Sequence, residues 1–268
     1  MIVNKYFIPA VSILCATLLS APPRANAVTD GETSVILGAE YTSGDYGTSS
    51  KTKIWYFPMT LRYETDANAA SVTVSYLSVE GRGDVVVSGG GMGMGSQTVK
   101  RTSTLNSTRT DSGFGDVILT GSHKLSGTAS SRIDLTGKIK FGTADETDNL
   151  GTGENDYSAQ LDFEKAVDSN TVYGSAGYKI LGDPPGTDYK NIFYGSIGFS
   201  HKLDAARAAG LTLDVQQAAL SGGSGQSELT LFLNNKLDKK TRLTGYVVKG
   251  FANGSPDWGL GVTLKLIQ

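Results

Sequence analysis

The chain has 268 residues, of which 34 are glycine, 39% are hydrophobic and 19% are charged. Its 24 Lys and Arg against 26 Asp and Glu leave a net charge of −2, which excludes a global basic field of the kind that recruits nucleic acid. A mean hydropathy of −0.15, with no internal apolar run of about 20 residues, excludes a bundle of membrane-spanning helices but not a membrane barrel, whose strands are only half apolar.

Residues 1–27 read as a secretory leader. Lys5 supplies the basic end, Tyr6 to Leu19 the apolar stretch, and Ala25-Asn26-Ala27 a cleavage pattern before Val28. The single cysteine, Cys15, falls inside this leader and follows Leu14, where lipoprotein processing needs a small residue. The mature chain, residues 28–268, is thus expected to lack thiols, and with them disulfides, thiolate metal sites and cysteine nucleophiles.

From there the dominant signal is period two. Val35, Leu37, Ala39 and Tyr41 alternate in Glu32–Tyr41, and Trp55, Phe57, Met59, Leu61 and Tyr63 in Lys53–Tyr63. The same pattern recurs in Ser71–Leu77, Asp116–Leu125, Arg132–Phe141, Asp156–Glu164, Val172–Ile180, Phe193–Leu203, Leu211–Gln217, Glu228–Leu237, Thr241–Lys249 and Trp258–Leu266. Only Asp204–Ala209 hints at a helix. The opposite faces are polar, as in Arg132, Asp134, Thr136, Lys138 and Lys140, or Asp156, Ser158, Gln160, Asp162 and Glu164.

Two features separate a membrane barrel from a soluble sandwich, which also alternates. Connections after even strands are short (Ser126–Ser131, Ala166–Asn170, Asp238–Lys240), the second connection and Asp204–Gly210 being exceptions. Those after odd strands are longer and glycine-rich (Gly81–Gly113, Gly142–Asn155, Gly182–Lys190, Ser221–Gln226). Aromatics such as Tyr41, Trp55, Tyr157, Phe193 and Trp258 sit near strand ends on the apolar face, where membrane girdles lie. The expected fold is all-β: a transmembrane antiparallel up-and-down β-barrel of about twelve strands. A membrane sheet must close, because no water satisfies an open edge.

Three segments carry a family resemblance: Gly113-Phe114-Gly115-Asp116-Val117, Lys138-Ile139-Lys140-Phe141-Gly142-Thr143-Ala144-Asp145, and Leu150-Gly151-Thr152-Gly153-Glu154-Asn155-Asp156-Tyr157, with Gly177-Tyr178 following. In this order they resemble the outer-membrane barrel family named for a phenol meta-degradation pathway. Phe141-Gly142-Thr143-Ala144 departs from that family's usual apolar residue, Pro, Thr and Gly. The resemblance is strong over residues 113–180 and implies a barrel of transport type.

Catalysis is not expected. The two histidines, His123 and His201, stand in a repeated Ser-His-Lys-Leu hairpin ending, with leucine rather than serine two residues on. Gly89–Gly95 lacks the Lys-Ser/Thr of a phosphate loop, and Arg82-Gly83-Asp84 is too short to signify adhesion. Asp145, Glu146, Asp148 and Glu154 make the third outer loop acidic, which reads first as a solvated loop and otherwise as a site for Ca²⁺ or for lipopolysaccharide held through bridging cations. The candidate bore-lining residues are Asp116, Arg132, Asp134, Lys138, Lys140, Asp156, Gln160, Asp162, Glu164, Lys179, Asp214 and Glu228. Arg132, Lys138 and Lys140 are expected to form cross-strand ion pairs with Asp156, Asp162 and Glu164.

The functional expectation is a passive outer-membrane pore or transporter for small solutes, aromatic or otherwise hydrophobic ones included, without cofactor or metal. The long Gly81–Gly113 connection is expected to fold over or into the mouth. Expected partners are outer-membrane lipid and lipopolysaccharide, the solute, and the barrel-assembly machinery; the last strand alternates as that machinery requires but ends in Gln268. A structural or surface-binding barrel with a packed lumen and a secreted soluble β-sandwich are the alternatives.

Overall fold

The computed structural model describes residues 31–83, 85–88, 97–100 and 107–268. The leader with Cys15 and its cleavage site, Asp84 of the Arg-Gly-Asp tripeptide, and Gly89–Gly95 lie outside the described residues.

Twelve strands close into one antiparallel barrel. They are β1 (Glu32–Gly44), β2 (Thr52–Glu64), β3 (Asn68–Gly81), β7 (Val117–Gly127), β8 (Ser131–Phe141), β9 (Asp156–Val167), β10 (Asn170–Ile180), β11 (Ile192–Lys202), β12 (Arg207–Gln216), β13 (Gln226–Lys236), β14 (Thr241–Gly250) and β15 (Trp258–Ile267). Each pairs with its neighbour in sequence, and β1 pairs with both β2 and β15, so the sheet has no open end. Three shorter strands, β4 (Val85–Ser88), β5 (Gln97–Lys100) and β6 (Arg109–Phe114), fall inside the third connection.

All three are unforeseen, and β6 is the one that joins the main sheet. The outer half of β3, Tyr76–Gly81, pairs with β6, and its inner half, Asn68–Thr73, pairs with β7. The register shifts by one residue at Gly115-Asp116, where the Gly115 amide donates to the Ser75 carbonyl at 2.9 Å. The chain thus makes one long strand broken by a bulge, which adds a residue to one side and re-aims the side chains of β7. A Cβ on Gly115 would stand 2.4 Å from Ser75 Oγ, so the site suits only glycine without rearrangement.

The two connections that look long in the sequence are tight. Strand β3 starts at Asn68 and β12 at Arg207, leaving Thr65–Ala67 and Leu203–Ala206 as turns. Asn68, Ala69 and Ala70, like Ala208, Ala209 and Gly210, are too small to show an apolar period. Asp204–Ala209 is no helix: Asp204 Oδ1 accepts from the amides of Ala206 and Arg207, both at 2.8 Å, which sets an Asx turn. The Ala206 amide, with the Arg207 side chain beside it, holds the Asp204 carboxyl below its usual range. Asp238 repeats the device with Lys240 and Thr241 in the β13–β14 turn.

The side chains divide by parity. Leu135, Leu161, Leu231 and Val247 face outward and are about half exposed, while their neighbours Asp134, Gln160, Thr230 and Val248 are buried inside. Leu231 is 49% exposed and Thr230 1%. In water this band of exposed Leu, Ile, Val and Phe would be an uncompensated apolar patch; acyl chains are its matching solvent. At the end that carries the long connections Tyr41 contacts Trp55 and Trp258, with ring centroids 4.9 and 5.4 Å apart, and Tyr178 contacts Phe193 at 4.8 Å. Tyr63 and Phe163 mark the opposite rim, which carries the short turns.

Candidate functional site

The bore is built from the inward row of each strand. Asp116, Asp134, Lys140, Asp156, Gln160, Asp162, Glu164, Lys179, Asp214 and Glu228 are all buried on it, and Arg132 and Lys138 stand half-buried on the same face of β8. These groups are out of bulk water, so their partners decide whether burial is tolerable.

The family-like segments converge on one ion network. Lys140 Nζ lies 3.3 Å from Asp116 and 3.1 Å from Asp156, and donates to Thr152 Oγ1 at 3.1 Å. Asp116 Oδ1 accepts from the Ala144 amide at 3.0 Å, and Asp156 Oδ1 from the Gly182 amide at 3.1 Å. The bulge at Gly115-Asp116 places Asp116 just ahead of β7, whose first residues pair with the end of β8, where Lys140 stands, and β9 opens on Asp156 beside it. One ammonium between two carboxylates thereby ties connections 142–155 and 181–191 to the wall. Leu150 is fully buried in this latch, and a Cβ on Gly113 would meet its Cδ1 at 2.7 Å.

A second network runs along the inward wall from β7 to β11. The Tyr194 hydroxyl donates to Gln160 Oε1 at 2.9 Å, and Gln160 Nε2 to Asp162 Oδ1 at 2.5 Å. Thr136 Oγ1 donates to Asp162 Oδ2 at 2.7 Å and meets Ser122 Oγ at 2.5 Å. Lys179 Nζ lies 5.7 Å above the Tyr194 ring.

Of the expected cross-strand ion pairs, Lys140–Asp156 forms. Arg132 faces Glu164 by register but binds Asp134, two residues on along its own strand, through Nε at 2.6 Å, because alternate residues share a face within reach of a guanidinium. Lys138 faces Ser158.

Several inward groups carry no signal beyond the alternation itself. Arg62 Nη2 reaches Glu64 at 2.7 Å, and Lys265 Nζ stands 3.5 Å from Glu32 and 3.7 Å from Glu64 at the short-turn end. They lie on faces that read Thr60-x-Arg62-x-Glu64 and Thr263-x-Lys265, with few charges to draw attention.

The bore also carries two apolar clusters. At the mouth, Tyr46, Ile54, Tyr56, Leu77, Val79, Val85, Ala144 and Leu150 pack together, so the base of the β4–β5 hairpin folds onto the inward face of β2 and β3. Deeper in, Tyr173, Ala208, Phe232, Tyr246 and Val248 form the other. There the aromatic rings lie over glycines of adjacent strands: a Cβ on Gly198 would strike the Tyr173 ring at 2.1 Å, and one on Gly261 the Tyr246 ring at 2.4 Å.

The histidines sit outside the bore, at the short-turn rim. His123 Nδ1 meets Asn68 Oδ1 and His201 Nδ1 meets Asn170 Oδ1, each at 2.8 Å, a duplicated strand-end pair. Among the described residues no three His, Cys, Asp or Glu side chains gather as a metal set, the acidic third loop included. There the Thr147 hydroxyl and amide hold the Asp145 carboxyl below its usual range.

The COG4313 outer membrane channel of Pseudomonas putida F1 aligns with a TM-score of 0.66 at 14% identity, over 90% of this chain and 97% of that one. The KdgM porin aligns at 0.54 and 10% identity, over 87% and 98%. The β domain of the Bordetella autotransporter BrkA aligns at 0.51 and 12%, over 90% and 99%. These likenesses establish the outer-membrane barrel fold. No curated protein matches the chain. The family model described as "Putative MetA-pathway of phenol degradation" matches residues 25–264, and the chain belongs to that family.

Proposed function

We propose that this barrel is a passive outer-membrane channel for small apolar solutes, aromatic ones among them. The observation that carries the reading is the pair of apolar clusters facing an otherwise polar bore, one at the mouth around Leu77 and Leu150 and one deeper around Tyr173 and Phe232. These side chains are themselves buried, so a solute meets them only where it parts the cluster, and an apolar solute shed from water there gains about 25 cal/mol per Å² buried. The charged residues of the bore hold the wall and latch the loops. Lipid and lipopolysaccharide are the outer solvent in this reading, and the barrel-assembly machinery inserts the chain. The Pseudomonas neighbour is an outer membrane channel, which agrees with transport.

A packed-lumen barrel is the second reading, favoured by how completely bore-facing side chains such as Thr60, Thr136, Thr230 and Ser200 are buried. The test is entry of the hydrophobic aromatic N-phenylnaphthylamine into cells producing the protein. The channel predicts faster uptake than in cells lacking it, and a loss of that gain in Leu77→Asp. Equal uptake with and without a folded barrel contradicts the channel and favours the packed lumen.

A further inference from the structure

We infer that the inward wall of β11–β15, at the short-turn end of the bore, binds amphipathic monocarboxylates, an apolar body with one carboxylate, a site that rests on the channel reading and gives its solute a head group. The deep apolar cluster is set largely on this wall, with Ala208 from β12, Phe232 from β13, and Tyr246 and Val248 from β14. Toward the short turns the same inward rows become basic. Asn234 and Lys236 follow Phe232 on β13, Thr244 and Arg242 follow Tyr246 on β14, and Lys202 and Lys265 end the inward rows of β11 and β15. The register sets Lys236 opposite Arg242 and Arg242 opposite Lys265, so three cations stand side by side on three neighbouring strands.

Like charges set directly opposite across a sheet repel. No inward position in this half of β11–β15 is a carboxylate. Asp204 and Asp238 belong to the turns, where each Oδ1 accepts from two turn amides. Glu32 and Glu64, on β1 and β2, take Lys265 and Arg62. Lys202, Lys236, Arg242, Lys265 and Arg62 thus outnumber Glu32 and Glu64 along this wall, whatever hydrogen bonds each of them makes. Asn234 adds a neutral donor: its Oδ1 accepts from Thr244 Oγ1, while its Nδ2 is buried and meets no acceptor among the described residues. A carboxylate supplies both the missing negative charge and the missing acceptor, and its two oxygens match the paired donors of a guanidinium. Lys202, Lys236 and Arg242 are half-buried on the inward face, so a head group in the bore can reach them. Two residues of strand span about 7 Å, which puts the head group of a naphthalene-sized acid at Asn234 and Arg242 as its rings part Phe232 and Tyr246. The basic row draws such an anion toward the short-turn exit.

The test is equilibrium dialysis of radiolabelled 2-naphthoate, and of its neutral counterpart 2-naphthylmethanol, against the barrel in nanodiscs of zwitterionic lipid, with uptake by empty nanodiscs subtracted. The wild type is expected to bind naphthoate saturably and at least about tenfold more tightly than the alcohol, the worth of a charge-assisted hydrogen bond. Acetate at equal concentration is expected not to displace it. Arg242→Gln is expected to remove the preference for the acid and leave the alcohol's affinity unchanged. Lys249→Gln, at the opposite end of β14 and facing outward, is expected to keep the preference. Heat-modifiable gel mobility reports folding of each variant, and Lys236→Gln replaces Arg242→Gln should the latter fail to fold. Equal affinities for acid and alcohol in the folded wild type overturn the proposal. So do absence of naphthoate binding, displacement by acetate, an undiminished preference in folded Arg242→Gln, or an equal loss in Lys249→Gln. Naphthoate preference without uptake of N-phenylnaphthylamine upholds the site and overturns the channel; uptake without the preference does the reverse.

Discussion

Lys140→Ala is expected to lower the stability of the folded barrel by about 3–5 kcal/mol, the cost of breaking a buried ion pair from one side. Lys140, Asp116 and Asp156 are all below a tenth exposed at their side chains, so solvent does little to replace the lost ammonium. The loss extends beyond the triad. Thr152 loses its lysine donor, and the two carboxylates that accept from Ala144 and Gly182 lose the ammonium that stands between them. Connections 142–155 and 181–191 should therefore become sensitive to protease before the barrel itself unfolds. Urea unfolding in detergent, followed by tryptophan fluorescence, measures the first effect, and limited proteolysis the second. Adding Asp116→Asn and Asp156→Asn to Lys140→Ala removes the stranded charges and should recover part of the loss. A change below about 1 kcal/mol for Lys140→Ala would show that water already screens the site.

The outer surface supplies the second large effect. Leu231→Arg, at the middle of β13 and facing outward, should cost about 2–4 kcal/mol in a bilayer, whereas Leu237→Arg, just past that strand at the short-turn rim, should cost about 0–1 kcal/mol. The contrast matters because the two leucines are similarly exposed, at 49% and 54%. A soluble β-sandwich would lose nearly nothing at either position. Reversible unfolding from lipid vesicles gives both values, and equal costs at the two sites would remove the depth dependence that a hydrocarbon slab imposes.

The barrel was legible because the strands carry their two solvents in alternate side chains. Arg132–Phe141 and Asp156–Glu164 show this most plainly, with charges on one face and Ile133, Leu135, Leu161 and Phe163 on the other. Strand β6 escaped because Arg109–Phe114 places Thr110, Ser112 and Phe114 outward, which is no apolar row, and because the bulge at Gly115-Asp116 resets the parity. The ends of β3 and β12 were hidden by alanine and glycine, which satisfy a strand without announcing a face.

The bore residues were legible as a face and less so as partners. Period two puts Lys140 and Asp156 inside but says nothing of registers, and only the observed pairing brings Asp116 to the same ammonium. Arg132 chose a neighbour on its own strand over the residue opposite, a decision set by side-chain length rather than by sequence order. The apolar cluster at the mouth needed Val85 and Leu150, both from connections, where no periodicity guides a reader.

The most direct test of the alternation is chemical labelling of single cysteines in folded barrels in vesicles. Leu135→Cys, Leu161→Cys and Leu231→Cys should be modified by a membrane-soluble maleimide and spared by a charged methanethiosulfonate. Asp134→Cys, Gln160→Cys and Thr230→Cys should escape the membrane-soluble reagent. Modification of the leucine set by the charged reagent, at rates equal to those of any aqueous thiol, would contradict a lipid-embedded barrel outright.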